Sequence, residues 1–86
     1  MNPNRAKDIY IRDNWRCRNC GSRNALHCHH IVFRSHQGTD DVTNLITLCN
    51  SCHAGVHSGG LQLIVLTTTD TDVLVKFHRV GNWKPN

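Results

Sequence analysis

Nowhere in this chain do apolar residues run far enough to cross a bilayer. The longest run, Leu63 to Leu66, is four residues, against the ~20 that a membrane helix needs. The opening segment MNPNRAKDIY lacks the apolar core of a secretory signal, so a soluble, cytoplasmic setting is expected. Repeats, low-complexity tracts and interdomain linkers are also missing, and residues 1–86 are read as one domain. Acidic side chains are scarce, six against ten lysines and arginines, which leaves a net charge of +4 with histidine counted neutral. Such a balance favours polyanionic partners. Arg5, Lys7, Arg12, Arg16, Arg18 and Arg23 concentrate it in the first third of the chain, a distribution that points to nucleic acid. Complete internal disulfide pairing is excluded, because the five cysteines are odd in number.

What the chain does have is metal-seeking side chains. A domain of 86 residues seldom buries enough apolar surface to be comfortably stable without a metal or a covalent staple. Cys17-Arg-Asn-Cys20 and Cys49-Asn-Ser-Cys52 repeat one two-residue gap, the spacing of a zinc knuckle. Four thiolates on one ion leave no open coordination position, so Zn²⁺ there would be structural and would enclose everything from Cys20 to Cys49. Cys28 is left over and is expected to pack as a small residue.

The local patterns order the chain. A helix from about Arg5 to Asn14, capped by Asn4, would place Ala6, Ile9 and Tyr10 on one face. Leu26 to Phe33 reads as a strand, and RSHQGTDDVT as a loop marked by Gly38 and the Asp40-Asp41 pair, both carboxylates being assigned to turn chemistry or loop hydrogen bonds. Asn44 to Leu48 reads as a second strand. A short helix follows, with Asn50 or Ser51 as its cap and Gly59-Gly60 as its stop. Residues 61–80 form a β-hairpin expected to extend a sheet or cover the core. Trp83 to Asn86 receive no assignment.

The stretch HCHH at residues 27–30 and the pair His53 and His57 then need an account. Residues four apart on a helix share a face, so His53 and His57 have the geometry to grip one ion. His29 and His30 are neighbours on a strand and project to opposite sides. One can bind metal while the other stays free and titratable, which is the pairing that metal-assisted hydrolysis uses. His27 is expected to serve surface packing, His36 to be a bystander and His78 to be structural.

The string CRNCG … LHCHHIVFRSHQGTDDVTNLITLCNSCHAGVH resembles the HNH endonuclease family, in its subgroup with paired CxxC motifs. His30, Asn44 and His53 are separated by 14 and nine residues, and His57 follows four later. The resemblance covers Cys17 to His57. It implies an α+β fold, a zinc-stabilised ββα-metal domain with an N-terminal helix and a C-terminal hairpin. It implies that His30 is the general base, that Asn44 pins the loop and orients it, and that His29, His53 and His57 hold the catalytic ion. His29 stands where many members have a metal-binding Asp, and imidazole shifts preference from Mg²⁺ toward Mn²⁺, Ni²⁺ or Zn²⁺. Arg34, just past the strand, is placed to grip a flanking phosphate.

The expected activity is hydrolysis of DNA phosphodiester bonds with one catalytic metal, giving 5′-phosphate and 3′-hydroxyl ends. A zinc-stabilised DNA-binding module without turnover is the alternative of a different class. Specific DNA interfaces bury ~1,000–2,500 Å² of protein, so so small a chain is expected to dimerise, to be weakly specific, or to be delivered by a partner protein.

Overall fold

The computed structural model describes residues 3–85; Met1, Asn2 and Asn86, at the two ends of the expected domain, lie outside the described residues. Helix α1 spans Pro3–Arg12, strand β1 Leu26–His30, strand β2 Leu45–Cys49, helix α2 Asn50–Ser58, strand β3 Leu61–Thr68 and strand β4 Val73–Arg79. Two short 3₁₀ turns, Arg34–His36 and Val42–Asn44, lie in the connection between β1 and β2. No described helix is long and apolar enough to cross a membrane.

Helix α1 begins earlier than its sequence pattern indicates, and Asn4 lies inside its first turn rather than capping it. Proline has no N–H to leave unpaired and its fixed φ suits the first turn, so Pro3 is a natural opening residue. The helix ends at Arg12, short of Asn14, because Asn14 and Trp15 both turn left-handed, at φ 59° and 53°. Ile9 is the buried anchor of its inner face.

β1 and β2 pair antiparallel, with His29 opposite Ile46 and His30 opposite Leu45. The expectation that β1 continues to Phe33 and that β2 includes Asn44 fails for one reason. Asn44 closes a 3₁₀ turn, and its own groups replace the ladder: its carbonyl accepts from Ile31 N (2.9 Å) and its side-chain Oδ1 from Val32 N (2.8 Å). All five residues of β2 are buried. At the next junction the cap of α2 is neither Asn50 nor Ser51 but Cys49, whose sulfur accepts from Cys52 N at 3.5 Å. Gly59 stops the helix at φ 86°, a left-handed conformation that suits glycine.

β3 and β4 form a separate two-stranded antiparallel sheet, with an irregularity between Val65 and Thr67, so the hairpin covers the core rather than extending the first sheet. Leu61 and Val73 are its buried contributions. The core itself is partly sulfur: Cys17, Cys49 and Cys52 cluster with Ile46, Leu48 and Leu61, and Val56, Phe77 and Trp83 pack against them. Trp83, in the tail that the sequence leaves unassigned, lies flat on two glycines. A Cβ at Gly55 would sit 2.3 Å from its ring and one at Gly60 2.4 Å. That contact explains a glycine in the middle of α2, where it costs about 0.5–1 kcal/mol relative to alanine.

The remaining core is ionic. Asp13, its side chain only 1% exposed, takes hydrogen bonds from Arg12 Nε (2.9 Å), Arg18 Nη1 (2.8 Å) and Thr47 N (3.0 Å). Arg18 also reaches Asp72 (3.0 Å) and Val73 O (2.8 Å), while Arg12 donates to Val42 O and Leu45 O at 2.7 Å each. Two of the six basic residues assigned to a nucleic-acid footprint are therefore spent inside the protein, tying α1 and the knuckle to β2 and β4. Burial alone would raise the Asp13 carboxyl; hydrogen bonds from Arg12 and Thr47 N, with the charges of Arg12 and Arg18, outweigh it and hold the value below the ordinary one. Its stabilisation is thus present above the unfolded value of ~3.9 and lost as pH falls through the lower folded value. Asp13→Asn is expected to cost about 3–5 kcal/mol, the usual penalty for removing one member of a buried pair. Denaturant titration in excess zinc checks this, and the variant should also lack the acid-side loss attributable to this carboxylate.

Candidate active site and metal centres

The turn after α1 brings the first cysteine pair to the second. Cys17 N bonds to Ser22 O (2.8 Å) and Gly21 N to Cys17 O (3.0 Å), with Gly21 at φ 80°, which closes a knuckle over Cys20. Cys49 ends β2 and Cys52 lies in the first turn of α2. The four Sγ atoms lie within 4.8 Å of one another, and Cys20 and Cys49 are 3.6 Å apart. Tetrahedral Zn–S bonds of about 2.3 Å require sulfurs about 3.8 Å apart, so the donor set fits one zinc ion. Asn19 N bonds to Cys17 Sγ and Asn19 Nδ2 to Cys52 Sγ, both at 3.4 Å, the kind of N–H···S support that zinc thiolates attract. Burial and then the neighbouring sulfurs raise the thiols of Cys20 and Cys52, although Ser22 N–H and Asn19 respectively oppose this. For Cys17, burial is outweighed by hydrogen bonds from the backbone of Cys20, Cys49 and Asn19, and its pKa falls. A divalent cation would relieve the repulsion that four close thiolates otherwise suffer. All five cysteines are free of disulfides.

Directly after Cys52 in α2, the imidazoles gather. Because β1 alternates, His27 and His29 share one side of the strand, where both rings meet His53 of α2 (centroids 4.7 and 5.2 Å), while Cys28 and His30 share the other. His29 is 2% exposed, and its donor nitrogen lies within 4.8 Å of those of His53 and His57. His53 Nε2 and His57 Nε2 are 3.1 Å apart, close to the ~3.3 Å that two nitrogens ligating a tetrahedral ion at ~2.0–2.1 Å would show. Burial first, and then the nearby His53, His57 and His30, press the pKa of His29 down to about 4; burial also lowers His53. Both rings therefore offer lone pairs rather than protons near neutrality. The three nitrogens would fit one borderline divalent ion.

Aromatic neighbours brace this cluster. His27 stacks on His53 (centroids 4.7 Å, 15°) and donates to Asn50 Oδ1 at 3.2 Å, while Phe33 stacks on His57 (5.2 Å, 9°). His27, expected to serve surface packing, packs on the candidate ligand His53. His36 lies against Phe33 at 6.0 Å, outside the cluster, and His78 is exposed on β4.

A cleft of about 340 Å³ opens over these groups, lined among others by His29, His30, Arg34, His53 and His57. Cys28 also lines it and is half-buried rather than a core residue; burial pushes its thiol up to about 11, where it is neutral. Arg34 is exposed at the rim. Asn44 Nδ2 donates to Val32 O (3.1 Å) and Thr39 O (2.8 Å), which binds the loop to the end of β1. Asp40, expected from sequence to serve turn chemistry or loop hydrogen bonds, accepts a 2.7 Å hydrogen bond from His30 Nε2, a partner that the sequence does not announce. That bond, helped by Arg34, holds its carboxyl below the usual range. Nothing periodic in the sequence pairs residues 30 and 40, because the loop between them has no regular repeat.

The arrangement is therefore a cluster of four sulfurs, a cluster of three imidazoles, and a fourth imidazole hydrogen-bonded to a carboxylate. The model of the HNH endonuclease family matches residues 17–59, half of the chain. Anaredoxin of Nostoc sp. (strain PCC 7120 / SAG 25.82 / UTEX 2576) is 33% identical over 58 residues, which cover 66% of this chain and 76% of that protein. No solved structure matches. With both cysteine pairs and the histidine cluster inside the matched span, the chain belongs to the HNH endonuclease family.

Proposed function

We propose that this protein is a metal-dependent endonuclease that hydrolyses phosphodiester bonds of DNA. The observation that carries the reading is the shared cleft: three imidazoles converge on one point, and a fourth, His30, lines the same space without joining them. Binding to DNA alone calls for no such division. When bound, a divalent ion on His29, His53 and His57 supplies Lewis-acid stabilisation of charge at the phosphate and the leaving oxygen.

The protein's own groups do the rest. His30 accepts one proton from a water molecule as its oxygen bonds to phosphorus. The P–O3′ bond breaks, the phosphate stays with the 5′ end, and the 3′-oxygen takes a proton from solvent. Arg34 at the rim offers a charge-assisted contact to a neighbouring phosphate. Asn44 keeps the loop and the strand end in register. Arg5, Lys7, Arg16, Arg23 and Arg34 are among the eight basic side chains outside the Asp13 network, and they supply attraction to the backbone of the duplex.

Conversion of supercoiled plasmid to nicked or linear forms tests the proposal. Cleavage is expected with Mn²⁺, Ni²⁺ or Mg²⁺ and none in EDTA, with ends that a ligase can reseal. A gel shift without cleavage under every divalent ion would replace the enzyme by the zinc-stabilised binding module.

A further inference from the structure

We infer that Asp40 is the positioning residue for His30, fixing its ring as the Nε2–H tautomer and leaving Nδ1 as the basic nitrogen; its catalytic consequence rests on the nuclease reading above. The argument starts from the 2.7 Å contact between His30 Nε2 and Asp40 Oδ1. An ionised carboxylate can only accept a hydrogen bond, so Nε2 must be the donor. A neutral imidazole carries one N–H, and once Nε2 holds it the lone pair is on Nδ1. The distance is in the range of charge-assisted hydrogen bonds rather than ordinary ones.

The loop that carries Asp40 is built to deliver it. Gly38 passes so close to the end of β1 that a Cβ there would lie 1.7 Å from Val32 O and 2.8 Å from Phe33 O, backbone atoms that cannot step aside. Gly38 N also bonds to Phe33 O at 2.9 Å. One residue on, Thr39 O receives Asn44 Nδ2, and the same amide group bonds both polar atoms of Val32. Asn44 thus clamps the residue before Asp40 to the residue two past His30. Both partners of the carboxylate–imidazole pair are held by their neighbours, although the Asp40 side chain is itself 40% exposed.

Two consequences follow. When Nδ1 takes the proton of the attacking water, the imidazolium forms beside an existing carboxylate, which stabilises it. The ring is also restrained from turning toward the three-imidazole cluster next to it, where it would be lost as a base.

The test compares wild type, Asp40→Asn and Asp40→Glu in the zinc-containing protein. Long-range ¹H–¹⁵N correlation spectra of the histidine rings are expected to show His30 as the Nε2–H tautomer in wild type and in the Glu variant. In Asp40→Asn the amide can donate as well as accept, and a mixture of tautomers is expected. Single-turnover nicking should fall about 10–100-fold for Asn, with KM for plasmid little changed and partial recovery for Glu. A wild-type ring protonated on Nδ1 would overturn the assignment, and so would an Asn variant with unchanged tautomer and unchanged kcat. If no form cleaves DNA while the tautomer contrast is present, the nuclease reading fails and the Asp40–His30 pairing stands.

Discussion

The His30→Ala protein is expected to nick plasmid about 10²–10⁴-fold more slowly than wild type, the usual contribution of a general base. The size follows from what the cleft offers in its place. The other three imidazoles converge within 4.8 Å of one another and would be occupied by the ion. Cys28 is the remaining titratable group on that face of β1, and burial holds its thiol near 11, where it is neutral and a poor acceptor of protons. Asp40 is freed by the substitution, yet its reach is limited by the Gly38 and Asn44 contacts that fix its loop. The same variant should bind one equivalent of Mn²⁺ or Ni²⁺ at the imidazole site with nearly wild-type affinity, because His29 points to the opposite face of the strand. Folding should survive, since the His30 side chain is hydrogen-bonded to a carboxylate that is itself 40% exposed. Parallel measurement of nicking, ion binding and melting temperature separates these effects. Equal nicking by the two proteins would remove His30 from the mechanism.

Removal of zinc from the cysteine site is expected to unfold the domain as a whole. Cys17, Cys49 and Cys52 are 3%, 5% and 0% exposed and belong to the main apolar cluster. Without the cation, four sulfurs within 4.8 Å must either stay protonated in close contact or repel as thiolates. Structural zinc contributes about 10–16 kcal/mol in small zinc-binding peptides near pH 7, comparable with or larger than the ~5–15 kcal/mol that stabilises a typical domain. Chelator strong enough to take the ion should release one zinc per chain and abolish the β and helical circular dichroism together. Cys52→Ser, which places a hydroxyl in the most buried of the four positions, should reproduce that loss at every zinc concentration short of millimolar. Because β2 and α2 meet at Cys49 and Cys52, the imidazole site should disappear with the fold. A chelated chain that keeps its secondary structure would show that the apolar core suffices.

Much of this was legible in the residues because it is periodic. The two-residue gaps of the cysteines, the four-residue gap of His53 and His57 and the alternation of His29 with His30 each encode a geometry directly. The strand, loop, strand, helix order of residues 26–58 follows from the same patterns. Where the pattern misled, tertiary contacts had taken over from local ones. β1 stops at His30 because Asn44 supplies both polar groups of its residue to the chain beyond. α2 is capped by a sulfur that is also a candidate metal ligand. Arg12 and Arg18 read as surface charge until Asp13, between them in sequence, collects both. Trp83 finds Gly55 and Gly60 across a span with no repeat to announce it. Asp40 belongs to the same class: its partner is ten residues away through an irregular loop.

The central claim is that one chain holds two ions of different chemistry, and anomalous diffraction from crystals grown with zinc and soaked in Mn²⁺ measures it most directly. The account predicts a zinc peak centred among Cys17, Cys20, Cys49 and Cys52, and a separate manganese peak bonded to His29, His53 and His57 with His30 outside its coordination sphere. Density at the sulfurs alone under saturating Mn²⁺, or His30 bound to the second ion, would contradict it.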